Sequence, residues 1–170
     1  RVSTIFDPPS EARGFDKNSP SYGGWDFLGP GDARGITTGT NISVTRYVLE
    51  ALSSQLGRYQ FGGLVKDLAD AITASITGPG KAYVLRCQQA DGGFAFTPEL
   101  ASLNNKAAYS DAELTKPRSY GTATCDGILA LLACGLKPED EPVAKAIAWL
   151  AKRPRLEVVP RFEGLPPQDG

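Results

Sequence analysis

The feature that most constrains this chain is that it repeats itself. Gly23-Gly24-Trp25-Asp26-Phe27 matches Gly92-Gly93-Phe94-Ala95-Phe96 at a constant offset of 69 residues. Each of these turns is followed by a polar loop and then an apolar helical pattern. Thr45 through Leu52 corresponds to Thr124 through Leu131 at an offset of 79, so the second loop holds ten more residues than the first. Asp169-Gly170 stands 78 residues after Asp91-Gly92, where a third copy would begin. A period of this size marks one supersecondary unit, which buries its apolar face by stacking on a neighbour. Arg1 comes first, and there is no Met anywhere. The expectation is a piece of a longer protein.

Helical periodicity places the elements. Val44, Tyr47, Val48, Ala51, Leu52 and Leu56 predict a helix over 40–56, capped by Thr40, Asn41 or Ser43 and ended by Gly57. A second helix is expected over 64–76, with Val65, Leu68, Ala69, Ile72 and Ile76 on its apolar face. Gly78-Pro79-Gly80 should break it, leaving a short helix over 82–88. The next spans 122–134, where Ile128, Leu129, Leu131 and Leu132 nearly encircle the axis and predict burial on most sides. Gly135 suits its C-terminus. Pro142 opens a helix to 151, capped by Asp140 or Glu141. Val143, Ile147 and Leu150 form its expected buried face, with Lys145 and Lys152 in water.

No convincing strand is visible, so the class is all-α. Residues 1–40 read as a loop-rich lead-in with the first Gly-Gly-Trp turn, 41–91 as a first repeat, 92–152 as a second, and 153–170 as a linker to a further one. One helix of each unit is apolar nearly all round and the other on one face. Stacking puts the first kind inside and the second outside, which is an α/α-toroid. Two copies leave such a ring incomplete.

Composition removes several functions. Apolar residues are 41% and charged residues 22%, which excludes disorder for the chain as a whole. Eighteen basic against 19 acidic residues give no footprint for nucleic acid. No apolar run is long enough for a transmembrane segment. With no His, these residues hold no Ser-His-Asp or Cys-His device and no His-ligated metal. Cys87, Cys125 and Cys134 are too widely spaced for a zinc pattern and are expected as buried free thiols. No metal and no cofactor is expected.

Three stretches carry a family resemblance. Tyr83-Val84-Leu85-Arg86-Cys87-Gln88-Gln89-Ala90-Asp91-Gly92-Gly93-Phe94 resembles the QW repeat of squalene cyclases, oxidosqualene cyclases and protein prenyltransferase β subunits. Ser119 through Leu131 resembles the inner helix that follows such a turn, and Ala148-Trp149-Leu150 the outer helix leading onward. The likeness covers roughly residues 20–150 and implies the toroidal fold. It further implies that Gln88 or Gln89 bonds backbone at a helix end, with Phe94, or Trp25 in the first copy, packed alongside. Gly23, Gly24, Gly92 and Gly93 would let the chain turn tightly, and Asp91 would accept backbone N–H groups.

The resemblance also shows what is missing. Family cyclases use an Asp-x-Asp-Asp acid, and this chain has none. Where the inner helices begin it has Asn41-Ile42-Ser43-Val44 and Tyr120-Gly121-Thr122-Ala123. Tyr120 and Arg118 stand where prenyltransferase zinc ligands would be. Asn41, Ser43, Tyr120, Thr122 and Asp126 are the cavity-lining candidates. Asp126 is either a cavity acid with a pKa raised by burial, or a carboxylate that steadies a helix start or bonds a neighbouring helix. Tyr120 either presents its ring to a cation or packs. Lys116-Pro117-Arg118 and Lys152-Arg153-Pro154-Arg155 suit a diphosphate or an acidic partner, or are solvated loop charge. Gly29-Pro30-Gly31 lacks the Gly-Lys-Ser/Thr ending of a phosphate loop.

Three functions follow as expectations. One is a terpenoid cyclase- or prenyltransferase-like repeat protein, non-catalytic in this segment, that binds an isoprenoid-like apolar molecule, a protein partner or further repeats. Another is a cyclase-type enzyme whose acid lies outside these residues. The last is a toroidal scaffold for protein interaction.

Overall fold

A computed structural model describes residues 17–26, 39–58, 64–98 and 117–154. Phe27, Gly29-Pro30-Gly31, Lys116, Arg155 and the third-copy start at Asp169-Gly170 lie outside the described residues, as do the side chains of Leu56 and Val65. Among the described residues there are four helices and no strand: α1 (Ile42–Arg58), α2 (Leu64–Cys87), α3 (Gly121–Ala133) and α4 (Glu141–Ala151). The all-α class holds there.

Two helix ends have a clear local cause, the start of α1 and the end of α3. Asn41 caps α1, its Oδ1 accepting from the Val44 N–H at 2.9 Å. α1 continues through Gly57 to Arg58. α3 closes on Gly135 in a Schellman pair, with Gly135 N–H donating to Leu132 O at 2.9 Å and Leu136 N–H to Leu131 O at 3.1 Å. Asp140 precedes α4 without capping it; its Oδ2 instead accepts from the Lys137 N–H at 2.8 Å.

Several expectations need correction. Gly78-Pro79-Gly80 does not break the chain: α2 runs unbroken from Leu64 to Cys87 with Pro79 inside. Proline there costs about 3 kcal/mol of helix propensity, and packing offsets it. A Cβ on Gly80 would lie 2.8 Å from Leu49 Cδ2 and 3.1 Å from the Trp25 ring, so the bare backbone is where the first turn and α1 press onto α2. Of the described side chains on the apolar face expected for α2, Ile76 is buried and Ala69 half-buried, while Leu68 and Ile72 are exposed. The buried face of α4 is Val143, Ala146 and Trp149, while Ile147 is exposed, because Trp149 is drawn into the second turn. On α3 the buried side is Ala123, Thr124, Gly127, Ala130 and Leu131, with Thr122, Cys125 and Leu129 exposed. Cys125 is thus no core thiol, whereas Cys87 is buried and Cys134 half-buried.

The helices pack in a definite order. α1 lies against α3, α2 touches both, and α4 rests on α3. One apolar core runs through them, from Trp25, Ile42, Leu49 and Tyr83 to Phe94, Leu131 and Val143. Each such side chain contributes about 1.5–3 kcal/mol of burial.

Candidate functional site

The site is built from the two glycine turns and the two helices that follow them. The turns share one hydrogen-bond pattern. Trp25 N–H donates to Thr45 Oγ1 at 3.0 Å, and Phe94 N–H to Thr124 Oγ1 at 3.0 Å. Thr45 Oγ1 in turn donates to Asn41 O at 2.7 Å, and Thr124 Oγ1 to Tyr120 O at 2.8 Å. Asn41 N–H reaches Trp25 O at 2.9 Å, and Tyr120 N–H reaches Phe94 O at 3.2 Å. Gly23 and Gly92 have φ of 86° and 90°, which a side chain resists. A Cβ on Gly24 would strike the Tyr83 ring and Thr40; one on Gly93 would strike the Trp149 ring and Ser119.

Asp91 gathers the second turn. Its Oδ1 accepts from Gly93 N–H at 3.1 Å and Ser119 Oγ at 2.7 Å, and its Oδ2 from Trp149 Nε1 at 2.8 Å. Gln88 Nε2 donates to Gly92 O at 3.1 Å and to Pro142 O at 2.8 Å, in the first turn of α4. Gln89 Nε2 donates to Cys87 O at 3.0 Å. Two clasps were not read from the letters. Arg86 donates to the carbonyls of Pro20 (3.0 Å) and Tyr22, fastening the first turn to α2. Arg153 lies 4.0 Å over the Trp149 ring and donates to Trp149 O. Only its place in a basic cluster had marked it.

The polar centre lies between α1 and α3. Ser43 Oγ donates to Asp126 Oδ2 at 2.6 Å, and Arg46 Nη1 meets Asp126 Oδ1 at 3.4 Å. Arg46 also pairs with Glu50 at 3.0 Å and lies 4.2 Å over the Tyr47 ring. Burial raises the Asp126 pKa, while Ser43 and Arg46 oppose that rise. Burial alone would lower Arg46, but Glu50 and Asp126 hold its pKa up. The Asp126 carboxyl therefore has both oxygens engaged and ties two helices together.

The five cavity candidates separate into two groups. Asn41 and Tyr120 are buried at the helix starts as backbone anchors, and burial pushes the Tyr120 hydroxyl pKa up strongly. Ser43 and Asp126 meet, and Thr122 is exposed. Ser43, Tyr47, Glu50 and Ser54 share one face of α1, and Thr122, Asp126 and Leu129 share one face of α3. The Ser43–Asp126 bond makes these faces adjoin. Tyr47 is 61% exposed and Leu129 39% exposed on them. Neither is among the cavity candidates; their place on the helices that follow the two glycine turns is the available signal.

Among the described residues, no three of Cys, Asp and Glu converge as a metal would need, and no helix is long and apolar enough to cross a membrane. Comparison with protein-family models, curated proteins and solved structures finds no match.

Proposed function

We propose that this chain is a terpenoid cyclase- or prenyltransferase-like repeat protein, and that its described residues form a non-catalytic wall of an α/α-toroid. The adjoining faces of α1 and α3 line its cavity and take an isoprenoid-like apolar molecule. One observation carries the reading. On these faces the one buried carboxyl among the candidates is occupied by Ser43 and Arg46, while Tyr47 and Leu129 stand open beside it. A general acid for alkene protonation has to present its proton to substrate. Asp126 instead accepts a hydrogen bond on one oxygen and an ion pair on the other. An exposed aromatic ring and a leucine suit an apolar chain.

The test is a binding titration of the purified chain with farnesyl diphosphate and with squalene in mild detergent, alongside product analysis. Saturable binding without product is expected, weakened about tenfold when Tyr47→Ala and Leu129→Ser are combined, since two apolar contacts at about 0.7 kcal/mol each amount to that factor. Turnover of either compound would show the wall to be catalytic. Binding that the double variant leaves unchanged would place the ligand elsewhere.

A further inference from the structure

An exposed aromatic ring makes a good platform for an apolar chain only if it is held still. Tyr47 is 61% exposed on α1. A ring so open turns among its rotamers unless a neighbour fixes it, and a ligand landing on it bears the cost of ordering it. Here a neighbour is in place: the Arg46 guanidinium lies 4.2 Å over the centre of the Tyr47 ring. Arg46 is itself a long side chain with much freedom to lose, but it is gripped at two further points. Its Nη2 meets Glu50 Oε2 at 3.0 Å, one turn along α1, and its Nη1 meets Asp126 Oδ1 at 3.4 Å, from α3. The other Asp126 oxygen accepts from Ser43 Oγ at 2.6 Å. The side chains of Arg46 and Asp126 are only 19% and 10% exposed, so solvent screens their pairing less than it would a surface pair.

A planar guanidinium held along its edge by two carboxylates has its flat face fixed as well. That face lies on the Tyr47 ring. We infer that Arg46 and Asp126 are positioning residues that hold the Tyr47 ring in one orientation for an apolar chain to lie on, an inference that rests on the reading of the α1 and α3 faces as a ligand wall. It gives a task to a buried carboxylate that presents no proton to substrate. It also makes the ring on α1 depend on how α3 lies beside it. The repeat separates this device from the needs of the fold. The threonine bonds beneath the glycine turns occur in both units. Arg46 and Tyr47 instead correspond, at the offset of 79, to Cys125 and Asp126, so the guanidinium and its ring belong to one unit alone.

The test reads the ring first without ligand. The chain is produced with 3-fluorotyrosine, and the fluorine resonance of Tyr47 is identified by its absence in Tyr47→Ala. In the wild type it should stand away from the free amino acid value, and Asp126→Asn and Arg46→Lys should each move it toward that value. Lysine keeps a charge for both carboxylates but has no flat face to stack. Urea unfolding of Arg46→Lys should therefore stay near wild type while the ring is released, which a merely structural role would not produce. Squalene titration in mild detergent is the second readout. Each variant should bind about threefold more weakly, the cost of ordering one side chain on binding. Neither should weaken binding further in a Tyr47→Ala background. A fluorine line that neither variant moves would overturn the inference, as would equal losses of squalene affinity with and without Tyr47. A moving line in a protein that does not bind squalene would overturn the ligand wall and leave the positioning of the ring established.

Discussion

The first and second turn units have the same backbone and different fillings. In the first, Trp25 sits in the turn and Tyr83 comes up from α2; in the second, Phe94 sits in the turn and Trp149 comes up from α4. The large ring has changed places while the pair stays two aromatics, as expected where total volume is held and shape is traded. The polar clasp differs too. Ser21 and Thr40 join by one hydroxyl bond of 2.9 Å in the first unit, where Asp91 makes three bonds in the second. The threonine hydroxyls beneath each turn are the same. Backbone pairing thus sets the unit, and side chains decide how firmly each copy is closed.

The sharpest break in the equivalence should come at the glycines. A Cβ on Gly23 would stand 2.1 Å from the Pro79 carbonyl oxygen, whereas one on Gly92 would stand 3.0 Å from the Lys145 oxygen. Gly92→Ala should cost about 1–2 kcal/mol, mostly from its left-handed backbone. Gly23→Ala carries that strain and a backbone collision, and should lose at least twice as much or fail to fold. Urea unfolding of the two variants measures it; equal losses would mean that α2 can shift away from the first turn.

The clasps should differ by less. Asp91→Ala strands the Trp149 indole N–H, the Gly93 N–H and the Ser119 hydroxyl together, at about 2–4 kcal/mol. Ser21→Ala removes one hydroxyl bond, worth about 1 kcal/mol. A Ser21 loss as large as the Asp91 loss, by the same unfolding measurement, would show that the first clasp is more than its single bond. The threonines should show no difference at all. Thr45→Val and Thr124→Val each leave a buried turn N–H unsatisfied, at about 1–3 kcal/mol. Their losses should agree within a few tenths of that unit, and a gap wider than 1 kcal/mol, about the value of one hydrogen bond, would show that the matched geometry hides unequal packing.

What the letters reveal follows the same division. The offsets of 69 and 79 reappear as paired hydrogen bonds because glycine pairs and a helix-start threonine are local necessities of the turn. α1 and α4 begin within two residues of their expected starts because the Asn41 cap and Pro142 act locally. Gly78-Pro79-Gly80 misleads because its helix is held by Trp25 and Leu49, residues remote in sequence. The α4 face misleads because Trp149 answers to Asp91, 58 residues away. Among the site candidates, Asp126 is visible as a carboxylate in an apolar helix, but its partners Ser43 and Arg46 are set by how α1 lies on α3. No periodicity encodes that register.

The smallest effect separates burial from pairing at that contact. The folded chain raises the Asp126 pKa, chiefly by burial, so the folded state binds this proton more tightly than the unfolded chain does. Its contribution to stability is therefore largest below the ordinary carboxylate pKa. It declines as pH rises through that value to the raised one, and is flat above it. Asp126→Asn can still accept from Ser43 but does not titrate. The stability difference, wild type minus variant, should fall as pH rises from the ordinary carboxylate range toward neutrality, with other groups cancelling between the two proteins. Urea midpoints across that interval read it directly. A difference that instead grows with pH would mean the Arg46 ion pair outweighs burial. The α1–α3 seam would then be held by charge.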